Sequence, residues 1–411
     1  NESIHYVEGD LYCDAVSIAQ IAAVCGTPAY VYSLRRVIEN YDRIHSAFAD
    51  LNAHVHYSAK ANANLVILKM LIDHGAGIDA VSAGEIYKAL NAGAKPENIV
   101  FAGVGKTKAE LRYAIEKRIG WFNIENGDEC RYVNDLAAEH NLTTRVALRL
   151  NPGVAANTHP YIATGHGGAK FGLTAEVIKT ILANQSAYPN LDFAGIHVHI
   201  GSQLHDTAAT QQAIKAALQL VAPYPAIRAV NIGGGLPIAY SPDDVMPSIE
   251  DFAATLKPLL KDHTVLLEPG RSIVADAGIL VTQILYVKQQ AGQTFYIVDA
   301  SMSELIRPAL YHAKHSIVAV KCDQTDPHDT ITVVGPVCET ADVLGSDIEL
   351  PELNPVDLLA ILDAGAYGMA MSSNYNARPR PAEIVVSADG DSWRIARPRE
   401  TWNDLIRGET T

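Results

Sequence analysis

The sequence predicts an α/β protein: a barrel of eight parallel strands alternating with helices, joined to a second, β-rich region. Three observations lead there. Eight short runs rich in β-branched residues fall between residues 54 and 269, mostly separated by helix-like segments. Polar residues gather at or just past the ends of those runs: Lys60, Asp79, Arg149, His199, Gly233, Gly234, Gly235 and Glu268. After about residue 275 the alternation stops, and further strand-like runs follow without long helices between them.

The elements fall in order. After the strand-like "TPAYVY", Val37, Ile38, Tyr41, Ile44 and Phe48 recur at helical spacing. The eight barrel strands are read as "HVHYS" (54–58), "GIDAV" (77–81), "NIVFAG" (98–103), "GWFNI" (120–124), "RVALRL" (145–150), "FAGIHVHI" (193–200), "RAVNIG" (228–233) and "TVLLEP" (264–269). Helices are expected over 83–92, 107–118, 127–140, 175–184 and 209–222, with Ser82-x-x-Glu85 as a capping box. A doubly wound sheet is the alternative, but it would carry a Gly-rich turn after its first strand, which is missing here. "FYIVDA", "ITVVG", "DLLAILDAGA", "AEIVVSA" and "SWRIARP" build the second region. The expected division is a barrel domain over 27–275 and a sandwich- or barrel-like β domain from 1–26 and 276–411.

Bulk properties narrow the function. The 411 residues suit two domains, and the net charge of −14 disfavours non-specific contact with nucleic acid or anionic membrane. No apolar run reaches membrane-spanning length, and no signal-peptide pattern heads the printed residues. The five cysteines, Cys13, Cys25, Cys130, Cys322 and Cys338, are scattered with no CxxC. That pattern argues for reduced thiols and a cytoplasmic setting rather than a disulfide framework or zinc site.

Each motif has a bland and a sharp interpretation. Lys60 in "HYSAKANAN" is either a solvated helix-start lysine or a barrel-mouth amine able to form a Schiff base. "VNIGGGL" is a tight turn or a phosphate cradle after the seventh strand. Glu268 in "LLEPGRS" needs a cation, which Arg271 or a protonated cofactor ring would supply. His197 and His199, two apart on one strand, would share a face; with no third ligand in view no metal is expected, and a ring stacked on a planar cofactor is more economical. Ser202 follows in a Gly-bounded turn. "GVGKTK" has Val100 where a nucleotide-binding loop needs glycine, so it is assigned to a helix start. Arg307 and Tyr311, four apart, suit a carboxylate or a surface ion pair. "GPVCETADV" sets Cys338 beside Glu339, far from the other motifs.

Together these stretches, with "VSAGE", "NPGVAANTHPYIATGHGGAKFGL" and "GAYGMAMSSNYNARPRPAEI", resemble the fold-type-III pyridoxal-phosphate decarboxylases, in the branch acting on meso-2,6-diaminopimelate. The resemblance runs from about Thr27 to Glu383. It implies an alanine-racemase-like barrel plus β domain. Lys60 would carry the cofactor, Glu268 would hold its ring nitrogen and His199 would stack on the ring. Asp79, Ser202, Gly233, Gly234, Gly235, Gly270, Arg271 and Tyr367 would complete the cofactor site. Arg271, Arg307, Tyr311, Glu339 and Tyr367 would bind substrate, and Cys338 would handle the proton. Cys338 and Glu339 would enter the neighbouring subunit's site, making a homodimer the catalytic unit. Related decarboxylases of bare diamine substrates carry Cys-Asp where this chain has Cys338-Glu339. Arg307 would repel such substrates and favour a far end with both carboxylate and ammonium. A related decarboxylase for ornithine, lysine, carboxynorspermidine or a carrier-bound glutamyl group is the alternative. The stretch around His166–Gly168 is expected to form a mobile lid.

Overall fold

A computed structural model describes residues 1–154, 164, 165, 168–241, 244–322 and 328–410. His166 and Gly167, the centre of the expected lid, lie outside the described residues. By internal contacts the chain forms two compact units, residues 40–238 with 245–272, and residues 1–39 with 239–244 and 273–411.

The first unit is a closed eight-stranded barrel. Numbered within the barrel, its strands are β1 (Asn52–Ser58), β2 (Gly77–Ala80), β3 (Ile99–Phe101), β4 (Trp121–Ile124), β5 (Thr144–Arg149), β6 (Leu191–His197), β7 (Ala229–Asn231) and β8 (Thr264–Leu267). Every neighbouring pair is parallel, and β8 closes on β1. Such strands are covered on both sides, which is why "IVF" of β3 is buried at every position. The interior is packed by Val100, Trp121, Ala147, Ala229 and Leu266. Trp121 fits because Gly195 faces it: a Cβ there would sit 3.1 Å from both the indole and Ala147.

Helices follow the strands and start where short polar side chains cap them. Asn64, Ser82, Thr107, Asn126, Thr174 and Ser248 each accept a backbone N–H of the first turn. The expected Ser82–Glu85 box is half formed. Ser82 accepts from Glu85 N–H, but the Glu85 carboxylate turns to Val81 N–H, one residue earlier than a reciprocal box requires. A complete box in this unit is Thr107–Glu110, inside "GVGKTK" and the helix it opens, Lys108–Glu116.

The second unit is built on one nine-stranded sheet and a three-stranded sheet at the N-terminus. Gly278–Gln290 is its spine. One end pairs with Ala29–Ser33 and Leu358–Ile361, the other with Gln293–Val298. His328–Val334 and Val343–Pro351 extend the sheet on one side, Ala382–Val386 and Trp393–Arg397 on the other. The strand in "TPAYVY", expected at the start of the barrel domain, lies in this sheet because Ala29–Ser33 is hydrogen-bonded between Gly278–Gln290 and Ala382–Val386.

Candidate active site

The C-terminal ends of the barrel strands carry a cluster of buried polar groups. β1 ends at Ser58, and Lys60 follows in a single tight turn, Ala59–Ala61. That turn is fixed by the Tyr57 hydroxyl donating to Asn62 O (2.9 Å) and Ser58 N–H donating to Pro269 O (2.9 Å). Lys60 is half-buried. Asp79, at the end of β2, accepts from the Ser58 hydroxyl. Burial and the nearby Glu268 charge push the Asp79 carboxyl well above the usual range, against the pull of Lys60 and Ser58.

Glu268 follows β8 and is buried. Its Oε1 accepts from Asn123 Nδ2 (2.9 Å) and Asn231 Nδ2 (2.6 Å), and its Oε2 lies 3.3 Å from His197 Nε2. Burial alone would raise this carboxyl, but His197, the Asn231 bond and His199 outweigh it and hold Glu268 well below the ordinary range. Two adjacent carboxyls are thus driven apart, Asp79 towards the acid and Glu268 towards the anion. Arg271 is not the partner of Glu268; its Nε and Nη2 donate to Ser202 Oγ at 3.3 and 3.2 Å.

β6 stops at His197, so the two histidines do not share a strand face as expected. His197 turns to Glu268, while His199 Nδ1 accepts from Gly234 N–H at 3.2 Å. That bond leaves the proton on Nε2 of a neutral ring. Burial, Lys60 and Arg149 all hold His199 well below the usual imidazole value. Gly233 and Gly235 have φ of +66° and +98°. A Cβ at Gly233 would meet His199 Nδ1 at 2.6 Å, one at Gly234 would meet Glu268 O at 2.4 Å, and one at Gly235 would meet Leu204 at 2.7 Å. The tight-turn interpretation of the triple glycine is met: the turn needs positive φ, and side chains there would collide with His199, Glu268 and Leu204.

Two buried pairs brace the rim. Arg149 bonds Glu125 at 2.6 Å. Lys106 of "GVGKTK" bonds Glu129 at 2.6 Å and the carbonyls of Gly103 and Asn123 at 2.7 Å each. Lys106 is therefore a strut and not a phosphate ligand, in line with the helix-start assignment.

Arg307, Tyr311, Cys338, Glu339 and Tyr367 stand on the β-rich unit, and Gly270 on the barrel unit. Arg307 opens the five-residue helix Arg307–Tyr311. It is 5% exposed, so the surface ion-pair alternative does not apply. Its guanidinium lies 4.5 Å over the Tyr240 ring and donates to His315 Nε2 at 2.8 Å. Cys338 and Glu339 are exposed in the loop between His328–Val334 and Val343–Pro351. Cys338 N–H donates to Asn376 Oδ1 (3.4 Å), and Glu339 accepts from the Tyr375 hydroxyl. Tyr367 is held at φ +56°.

Asn123, Asn231 and the Glu268 contact of His197 were not foreseen. The usable signal was a polar residue on a barrel strand's last positions, as in "GWFNI" and "RAVNIG". The residues at the mouth fit pyridoxal phosphate. The Gly235 N–H, Ser202 and Arg271 suit a phosphate dianion, the buried Glu268 suits a ring nitrogen, and Lys60 offers an amine to an aldehyde. Asp79 Oδ1 and Asn123 Oδ1, both buried, have no hydrogen-bond partner among the described residues and offer further polar contacts.

Lysine, clamped carboxylate and glycine cradle at the C-terminal mouth of a parallel barrel define a pyridoxal-phosphate enzyme of the barrel class. Residues 34–275 match the family described as pyridoxal-dependent decarboxylase, pyridoxal binding domain. The chain belongs to that family. It is 41% identical to diaminopimelate decarboxylase of Aquifex aeolicus over 99% of this chain and 97% of the relative. It is 40% identical to that of Pseudomonas aeruginosa over 100% and 99%. The solved diaminopimelate decarboxylase of M. jannaschii in complex with L-lysine superposes with a TM-score of 0.93 at 35% identity, covering 100% of this chain and 98% of that one. Among the described residues no helix is long and apolar enough to cross a membrane.

Proposed function

We propose that this chain is a pyridoxal-phosphate-dependent carboxy-lyase converting meso-2,6-diaminopimelate to L-lysine and carbon dioxide, the last step of lysine biosynthesis. It works in the cytoplasm as a homodimer with shared sites. The observation that carries the reading is the buried Glu268, clamped by Asn123 and Asn231 at the same barrel mouth as Lys60 and the triple glycine. In this reading the barrel unit binds the cofactor.

Lys60 Nζ would be the attachment point. Glu268 would hold the ring nitrogen and His199 would lie against the ring face. Asp79 would complete the polar wall beside Lys60. Gly233, Gly234, Gly235, Gly270, Ser202, Arg271 and Tyr367 would surround the phosphate. When bound, pyridoxal phosphate supplies the sink for the electron pair left as carbon dioxide departs. Cys338 Sγ, from the neighbouring subunit, delivers a proton to that carbon. Arg307, Tyr311 and Glu339 bind the far end of the substrate, with Arg271 and Tyr367 also within the substrate set. Tyr240 and His315 hold the Arg307 guanidinium for a carboxylate, and Glu339 takes the distal ammonium. A bare diamine end would meet the Arg307 charge without a carboxylate to offset it.

Carbon dioxide release from diaminopimelate, lysine, ornithine and carboxynorspermidine tests the substrate. Diaminopimelate is expected to turn over fastest; faster release from any of the others overturns the assignment.

A further inference from the structure

Asn231 makes two contacts that join opposite ends of the cofactor site. Its Nδ2 donates to Glu268 Oε1 at 2.6 Å, and its Oδ1 accepts from Gly233 N–H at 2.9 Å. The two bonds fix the amide: turned over, it would set an oxygen against a carboxylate and an NH2 against an N–H. Asn231 is the last residue of β7 and is buried, so its backbone is held by the barrel. Glu268 N–H also donates to Gly233 O at 2.8 Å. Gly233 and Glu268 are therefore tied twice, once through backbone and once through this side chain.

We propose that Asn231 is a positioning residue that sets the spacing between the phosphate-binding glycines and the carboxylate on the ring nitrogen, and gives that carboxylate a donor that cannot titrate. The inference rests on the cofactor assignment above and assigns a residue outside it. Glu268 has two kinds of neighbour. His197 Nε2 lies 3.3 Å from Oε2. The amides of Asn231 and Asn123, which carry no titratable proton, both point at Oε1. With Oε1 occupied by groups of the barrel wall, Oε2 keeps acceptor capacity for a donor at the mouth. Asn123 lacks the second link, because its Oδ1 has no hydrogen-bond partner among the described residues. Among the described residues only the β7 amide bonds both the carboxylate and the glycine loop.

Two substitutions separate the two bonds. Asn231→Asp keeps an oxygen for Gly233 N–H but puts a second carboxylate against Glu268 Oε1. One proton is then shared between the acids, and Glu268 is no longer a full anion. Asn231→Ala removes both bonds. The purified holoenzymes are compared in visible absorbance, kcat and KM. After the cofactor is stripped, the ratio of affinities for pyridoxal phosphate and pyridoxal is measured for each.

For Asn231→Asp we expect the affinity ratio and KM to stay within about threefold of wild type, with an altered visible spectrum and kcat lower by about 100-fold. For Asn231→Ala the affinity ratio falls about tenfold and kcat falls as well. If Asn231→Ala does not fold, Asn231→Ser, too short to reach Glu268, takes its place with the same expected loss in the ratio. A wild-type spectrum and kcat in Asn231→Asp overturn the proposal. So does an equal loss of phosphate preference in both variants, which would mark Asn231 as merely structural. A wild type that binds no pyridoxal phosphate sinks the cofactor assignment and this inference with it.

Discussion

Lys106→Met should be among the most destabilising single changes at the barrel rim. The ammonium is completely buried and Glu129 is 6% exposed. Its three donors are all used, on Glu129 Oε1 and on the carbonyls of Gly103 and Asn123. Methionine fills the stem's volume but strands a buried carboxylate and two carbonyls. Breaking one side of a buried ion pair costs roughly 3–5 kcal/mol. Burial already raises the Glu129 carboxyl, with Lys106 opposing it. Without Lys106 that carboxyl can take up a proton, which limits the loss to the lower end, about 3 kcal/mol. Its Oε2 keeps the Glu125 N–H at 2.8 Å, so the helix start survives.

The assay is urea unfolding of the holoenzyme followed by Trp121, which sits in the barrel interior. Trp393 and Trp402, both on the other unit, are replaced by Phe in every sample so that only the barrel reports. A loss below about 1 kcal/mol would refute the strut argument. So would a Lys106→Met/Glu129→Leu double variant as unstable as the single one. Removing both charges should recover much of the loss if the penalty is the stranded carboxylate.

Two further outcomes are expected. Burial depresses the His56 imidazole from 6.5 to about 4. The unfolded chain therefore takes up this proton first as pH falls, and stability is lost between pH 6.5 and about 4, by about 3 kcal/mol in all. His56→Phe should flatten the urea midpoint across that window, and an unchanged slope would exclude His56 as the source. Lys60→Ala and Cys338→Ala should each be inactive alone, the first also colourless and not reducible by borohydride. Mixed, they should regain part of the activity through hybrid dimers; none at all, with dimers verified, would contradict shared sites.

The barrel was legible because each strand is a local run whose pattern does not depend on distant partners. Its expected ends ran one or two residues long at "LEP", where Glu268 and Pro269 leave the ladder to enter the mouth. The β-rich sheet was only half legible. Gly278–Gln290 owes its 13 residues to three different partners, and Ala29–Ser33 finds its neighbours some 250 and 350 residues away. No local periodicity encodes such pairings. Within the site, Lys60 and Glu268 stood out because charge at the end of a barrel strand is expensive unless used. Asn123 and Asn231 did not, because asparagine at a strand end is also what a turn uses. Only barrel closure brings residues 123, 231 and 268 onto one carboxylate oxygen.

The loop "GPVCETADV" shows the limit from the other side. Nothing local explains an exposed Cys338 and Glu339, yet the loop is firmly built. Asp342, 2% exposed, accepts from Met302 N–H at 2.6 Å and Val337 N–H at 2.8 Å. A Cβ at Gly335 would lie 2.4 Å from the same carboxylate. Tyr375 and Asn376 hold the two residues at the tip. A surface loop of no consequence would not need a buried carboxylate, a fitted glycine and two side-chain ties. Ordered in advance, it can present a thiol and a carboxylate to another molecule without the entropy cost of fixing them on contact. That is the property the proposed shared site requires of it.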